Sequence, residues 1–321
     1  MDAPLVSVVI ATYNWSNVLR CSIRSALRQT LGNIEVLVIG DGCSDDSAEV
    51  VASFEDPRLR WDNLPQNSGS QGIPNNRGIE LARGKYIAYL GHDDLWYPTH
   101  LDRVVGALEA ARGDIGHAMV LSIGPPGSSH LNVPKPLYQG RFLPLPPSSA
   151  VHRRNLVDRI GGWRDYRAIR VTPDSDFFSR AYDHPNVKDV YVQELTVFKF
   201  PAVLRPNAYI RKPSTEQEEY LRRMDQEPDF QYRELIKLAV HLQQKPPTSG
   251  LAWPRLRRRA PGYSVARRRK LRGLDAQLPA PTLADYWDFL KQVLAITLPP
   301  ILVHFIRQVR PARLGSRDTV Y

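Results

Sequence analysis

The stretch "LGHDDLWYP" (90–98) sets Asp93 and Asp94 side by side, directly after the apolar run Tyr86–Leu90. Two adjacent carboxylates at the end of a strand repel each other unless something offsets their charge. A hard divalent cation would do so, because Mg²⁺ or Mn²⁺ takes one or two carboxylates together with substrate phosphates. Held there, it would neutralise charge developing on a departing diphosphate. The alternative is local: Asp94 caps the helix that starts near Pro98, and Asp93 is merely solvated. The pair by itself leaves both readings open.

Three further residues have types suited to the same chemistry. Asp41, in "VIGDGCSDD", stands in a tight turn. There Asp either bonds its own backbone or offers an acceptor to a nucleotide base N–H. Tyr13 either packs half-buried or presents a ring face on which that base stacks. Asp174, in "TPDSDFF", lies in the first turn of an expected helix, where the N-terminal dipole favours the anion. It is therefore either a general base or an acid placed there for stability.

The elements that would position these residues alternate along the first 125 positions. "LVSVVIA" (5–11) and "IEVLVIG" (34–40) are short β-branched runs with the length of buried strands, "RLRWDN" (58–63) reads as an edge-like strand and "KYIAYL" (85–90) as another strand. Helices are expected over Ser16–Gln29, Ser44–Phe54, Pro74–Ala82 and Thr99–Ala111. Such alternation predicts a mostly parallel sheet covered on both faces. Sheets of this kind bind ligands beyond the carboxyl ends of their strands, where Tyr13, Asp41 and the His92-Asp93-Asp94 group fall.

Between "GPPGSSH" (124–130) and "PLPPSS" (144–149) the chain is rich in Pro, Gly and Ser, which suggests a long surface loop. "VHRRNLVDRIGGW" (151–163) reads as a helix stopped by its glycines, and "TPDSDFFSRAYD" (172–183) as another with Thr172 as cap. "VYVQELTVFKF" (190–200) is a strand, and a polar helical segment runs from about Thr215 to Gln244. The division expected is a catalytic domain over 1–210, with halves 1–125 and 126–210, and a helical extension over 211–321.

A net charge of +10 suggests a nucleic-acid ligand until it is located. Nine basic residues and no acid lie between Leu251 and Arg272, so the rest of the chain carries about +1. Neither a recognition-helix motif nor an RNA-binding aromatic signature accompanies that patch. No Gly-x-Gly-x-x-Gly follows a strand, which disfavours a dinucleotide oxidoreductase. The two cysteines, Cys21 and Cys43, form neither a disulfide framework nor a zinc cluster and suit a reducing compartment. The N-terminus shows no secretory signal pattern, and no apolar run reaches the roughly 18 residues of a membrane span.

Taken in order, "VSVVIATYNWSNVLRCSIRSALRQTLGNIEVLVIGDGCSDDS" and "NNRGIELARGKYIAYLGHDDLWYPTHL" resemble the N-terminal half of glycosyltransferase family 2, whose members are inverting enzymes that use nucleotide-diphospho-sugars. The resemblance covers about residues 4–105 closely and extends more loosely through "RIGGW" and "TPDSDFF" to about 200. It implies an α/β GT-A (Rossmann-like) fold, with the basic helical extension beyond. It places Ala11, Tyr13, Asp41, His92 and Asp93 at the donor nucleotide, Asp93 and Asp94 at a Mn²⁺ or Mg²⁺ ion, and Asp174 as catalytic base, with Asp176 a neighbouring acid. Gly91, Gly40, Asn75 and Pro173 stand where the family often has Asp, Asp, Arg and Glu, and Lys199 is the polar residue nearest a usual His after the last strand.

The resemblance further implies transfer of a sugar, by default from a UDP-sugar, to a glycan or lipid-linked acceptor in cell-envelope polysaccharide synthesis. The departures leave a weakened nucleotide-sugar-binding scaffold as the alternative. The basic stretch, the aromatics Tyr286, Trp287 and Phe289, and the apolar runs Val293–Leu298 and Ile301–Ile306 suit an interfacial helix pair on an anionic membrane through residues 251–310. Pro299-Pro300 would break that run. A cytoplasmic protein, peripheral at the inner face of the membrane, is the corresponding expectation.

Overall fold

In the computed structural model, residues 3–124, 129–132, 146–205 and 207–244 are described. In chain order the elements are β1 (Val6–Thr12), α1 (Ser16–Leu27), β2 (Ile34–Gly40), α2 (Ser47–Ala52), β3 (Leu59–Asn63), α3 (Gly72–Leu81), β4 (Tyr86–Tyr89), β5 (Leu95–Trp96), α4 (His100–Ala111) and β6 (Ile115–Ser122). They continue with β7 (His130–Asn132), β8 (Ala150–Arg153), α5 (Leu156–Ile160), α6 (Pro173–Asp183), β9 (Asp189–Lys199), α7 (Ala208–Arg211), α8 (Thr215–Gln226) and α9 (Phe230–Gln244).

The strands form one sheet in the order β3-β2-β1-β4-β8-β6-β9-β5, with β7 added against β6. The half from β3 to β4 is wholly parallel, as the β-branched runs predict. Beyond it β8 runs antiparallel to both β4 and β6. Those two reversals cancel, and β9 pairs parallel with β6, so β9 points the same way as β1, β2 and β4. Register then decides where the ends emerge: Thr12 faces Gly40, and Ser122 faces Lys199. All these carboxyl ends open on one side.

Alternation along β1 splits the core between the two faces of the sheet. Val6, Val8 and Ile10 pack with Leu19 and Ile23 of α1 and with Leu101, Val104 and Leu108 of α4. Val9 faces the other way, with Leu37, Ile39, Ile87 and Tyr89, beneath Trp163, Phe177 and Phe178. Each fully buried side chain of this size contributes about 1.5–3 kcal/mol, so both faces must be covered. α3 lies close on that second face, since a Cβ on Gly78 would come within 2.3 Å of Val9.

Two readings of the sequence change. The segment 151–163 is not one helix: Ala150–Arg153 pairs with both β4 and β6 as a strand, and only Leu156–Ile160 is helical. Pairing on two edges outweighs local helical spacing. The polar segment 215–244 is two helices, because Pro228 cannot continue α8 and Asp229 turns into the left-handed region at φ +55°. Leu221, Phe230 and Leu238 of these helices join Leu95, Phe198 and Phe200 in a third cluster. α8 and α9 accordingly pack in one compact unit with the sheet. The basic stretch and the expected amphipathic helices over 251–310 lie outside the described residues.

Candidate active site

At the ends of β1 and β2 the chain makes two tight turns that interlock. Asn14, in the left-handed region at φ +46°, turns its side-chain oxygen to the backbone N–H groups of Ser44 at 2.8 Å and Asp45 at 3.2 Å. Asp45 in turn accepts the backbone N–H of Ser16 at 3.2 Å and the Ser47 hydroxyl at 2.6 Å, which fixes the start of α1 against the start of α2. Tyr13, between these anchored neighbours, is 47% exposed. A ring so held and so open can stack on a flat ligand. Ala11, one residue inside the strand, pairs with Ile39.

Asp41 is buried, and its carboxylate accepts the Ser68 backbone N–H at 2.9 Å. The acid thus reaches across to the loop before α3. Gly42 makes the turn possible: its φ is +71°, and a Cβ there would meet the Asn67 backbone nitrogen at 2.4 Å. Gly40 is fixed for a steric reason. A Cβ on it would strike the Asn63 side chain at 2.4 Å and the Trp61 ring at 2.7 Å, so the acid frequent at this place in the family does not fit the present packing.

At the end of β4, His92 joins this region to the first. Its Nδ1 is 3.0 Å from the Thr12 hydroxyl, and its ring meets Trp15 edge-on at 5.6 Å. The two acids that follow have different surroundings. Asp94 is fully buried, and both its oxygens are engaged: Oδ2 by the Ser148 hydroxyl at 2.5 Å and the Lys199 ammonium at 3.0 Å, Oδ1 by the Phe200 backbone N–H at 3.2 Å. Asp93 stays partly exposed. Burial and then the neighbouring Asp94 push its pKa up, while Lys199 and His92 offset part of that rise.

Lys199, the last residue of β9, gathers the acids. Burial works against its charge, yet Asp94 and Asp93 together outweigh that and raise its pKa, with a smaller contribution from Asp174. Asp174 therefore lies within electrostatic reach of the same ammonium group. It sits in the first turn of α6, partly exposed, and accepts no hydrogen bond from another described residue. Asp176 is committed elsewhere, to Arg180 at 3.0 Å and Arg164 at 3.3 Å. Thr172 holds the cap position, with its hydroxyl 2.8 Å from that of Ser175.

Asn75 is buried, and Asn76 spans from α3 to the second half of the unit. It donates to the Trp163 carbonyl and accepts the Trp163 N–H, each at 2.8 Å. Sequence reading passed over Asn76, Ser148 and the Asp94–Lys199 pair. Asn14 and Asp45, with side-chain oxygens beside Gly- and Ser-rich turns, carried a signal that could have been found. Among the described residues, no group of three or more His, Cys, Asp or Glu converges into a metal cage. Of the adjacent pair, Asp93 is the accessible carboxylate, and it fits a cation completed by substrate phosphates and waters.

Comparison with known proteins bears on this geometry. Residues 7–145 match the family model described as glycosyl transferase family 2. An uncharacterized glycosyltransferase of Rickettsia prowazekii, RP339, is 38% identical over 106 residues, which is 33% of this chain and 32% of that protein. The Escherichia coli enzyme WfaP, described as a UDP-Glc:alpha-D-GlcNAc-diphosphoundecaprenol beta-1,3-glucosyltransferase, is 32% identical over 108 residues, 34% of this chain and 43% of its own length. The chain thus spans less than half the length of either relative. Among solved structures, S. aureus TarS 1–349 in complex with UDP superposes with a TM-score of 0.54 at 16% identity, covering 94% of this chain and 86% of that one. At that identity the likeness establishes the fold.

Proposed function

Residues 7–145 of this chain are a glycosyl transferase family 2 domain, and from that premise we propose that the protein moves a sugar from a nucleotide-diphospho-sugar to an acceptor hydroxyl, with inversion at the anomeric carbon. The observation that carries this reading is Lys199, one ammonium group within the fields of Asp93, Asp94 and Asp174, which arrive from the end of β4 and the start of α6. Acids so gathered, next to an exposed aromatic ring, suit a donor with a flat base and a diphosphate.

Tyr13 stacks on the base, and Asp41 orders the turn against which the base edge lies, with Ala11 and His92 lining the same side. Asp174, which accepts no hydrogen bond from another described residue, takes the proton from the acceptor hydroxyl, and the oxygen attacks as the nucleoside diphosphate leaves. A positioned base of this kind contributes about 10²–10⁴-fold. Asp93 would hold a Mg²⁺ or Mn²⁺ ion, which when bound neutralises charge on the diphosphate. Asp94, with both oxygens engaged, acts instead by fixing the loop that carries Asp93.

A UDP-sugar is the preferred donor, since WfaP is named for one and TarS is described with UDP. A lipid-linked or envelope-glycan acceptor follows from the same relative, with residues 251–310 resting on an anionic membrane surface at its inner face. Among the described residues no helix is long and apolar enough to cross a membrane. Two experiments test the reading. A panel of nucleotide sugars is screened for thermal stabilisation with and without Mn²⁺, and the stabilising donor is assayed for transfer with the product anomer read by NMR. A stabilising donor whose product keeps the donor's anomeric configuration refutes inversion; stabilisation by none refutes the donor site. Sedimentation with anionic vesicles, lost on deleting 251–321, tests the membrane contact.

A further inference from the structure

Lys199 has more hydrogen-bonding capacity than the protein uses. An ammonium group carries three donors. One is spent on Asp94 Oδ2 at 3.0 Å, and among the described residues no second acceptor engages it. The side chain is 27% exposed, so its free donors are open to a ligand at the strand ends. Lys199 is also the cation that Asp93 and Asp174 both sense.

Gly91 bears on the same point. A Cβ there would come to 2.8 Å from Asp94 Oδ2 and 3.3 Å from Asp93 Oδ1. Asp94 Oδ2 cannot swing aside freely, because Ser148 and Lys199 both hold it. A side chain at position 91 and the Asp94–Lys199 pair therefore compete for one space. The end of β4 has one acid fewer than a fuller acidic motif would place there, and a fixed cation stands beside it.

We infer that Lys199 contacts the donor's diphosphate directly through its unused donors, so that part of the affinity for a nucleoside diphosphate persists without any divalent ion. This rests on the donor-site reading above and adds to it a residue that acts on the phosphates themselves. The competing role is that Lys199 only neutralises Asp94, in which case it has no effect on ligand affinity once Asp94 is also made neutral.

Titration calorimetry with UDP, GDP and dTDP, in EDTA and in Mn²⁺, separates these. In wild type we expect a nucleoside diphosphate to bind in EDTA, and more tightly with Mn²⁺. Lys199→Gln is expected to weaken that binding in EDTA by about 10- to 100-fold, the range of a hydrogen bond to a charged group, while binding of the parent nucleoside is unchanged. Because Lys199→Gln leaves Asp94 buried and unpaired, the double variant Lys199→Gln/Asp94→Asn keeps the site neutral and should show the same loss with a thermal midpoint near wild type. A double variant that binds the diphosphate as tightly as wild type overturns the inference. So does wild-type binding that is abolished by EDTA, although the donor-site reading then survives. Failure of wild type to bind any of the three diphosphates in either buffer overturns that reading as well.

Discussion

Where Tyr13 and Asp41 emerge, β1 and β2 lie side by side in register, and the turns beyond them are joined mainly by short bonds from Asn14 and Asp45 to backbone N–H groups. Where Asp93, Asp94 and Asp174 emerge, the partners come from far along the chain: Ser148 lies 54 residues from Asp94, and Lys199 lies 105. The first region joins two turns about 30 residues apart, through neighbouring strands, and holds a ring and a carboxylate in place. The second is a set of charges that exists only once β4, β9 and α6 have assembled. Changes in the first should therefore alter how tightly the base of a donor is held with little effect on folding, and changes in the second should alter turnover, folding and, at Lys199, the hold on the diphosphate.

The largest effect is expected on the charged side. Asp174→Asn should lower kcat by about 10²–10⁴-fold with UDP affinity unchanged, measured by steady-state kinetics beside calorimetry. Equal loss of affinity would show that Asp174 also orders the donor region, and the contrast between the two sides would fail. Asp94→Ala leaves the Lys199 ammonium without its buried partner. Breaking such a pair costs about 3–5 kcal/mol, which should appear as a fall in Tm on the order of 10 °C. On the other side, Tyr13→Ala should weaken UDP binding by roughly 1–3 kcal/mol, the usual worth of a base stacked on an aromatic ring, with Tm nearly unchanged because the ring is half exposed.

The smallest effect concerns a buried relay between the two halves. Trp163 Nε1 donates to the Tyr89 hydroxyl at 3.0 Å, and that hydroxyl lies 3.0 Å from His152 Nε2. His152 Nδ1 is 2.8 Å from the Arg153 carbonyl and must donate to it, so Nε2 is left to accept from Tyr89. Burial lowers the His152 pKa to about 4, and that of His100 to about 3. A histidine kept neutral in the fold takes up a proton more readily when unfolded. Between the unfolded value, about 6.5, and the folded one, stability falls as pH falls. Tm should therefore decline on acidification from about pH 6.5 to 4, and less steeply in His152→Gln.

The same contrast explains how much could be read beforehand. The β-branched runs of β1 and β2 and the Gly42 turn are properties of neighbouring residues, so the parallel half of the sheet and its polar tips were legible. The segment at 150–160 was not, because the run up to Gly161 reads as one helix, while Ala150–Arg153 is a strand in which His152 pairs with Ile87 on one flank and Ile115 on the other. The adjacency of Asp93 and Asp94 was visible, but their unlike surroundings were not. One is held by a serine and a lysine that no local pattern links to it, and the other is left partly open.

Ser148 also anchors the chain on the far side of residues 133–145. Their first neighbour, β7, is paired to β6 at Ser122–Val120, and their last is tied through Ser148 to Asp94. One serine thereby clasps three points of the segment that follows β4: it accepts from the Gly91 N–H and the Trp96 indole and donates to Asp94. Its removal would unfasten the acidic tip from the entry to β8 in a single step.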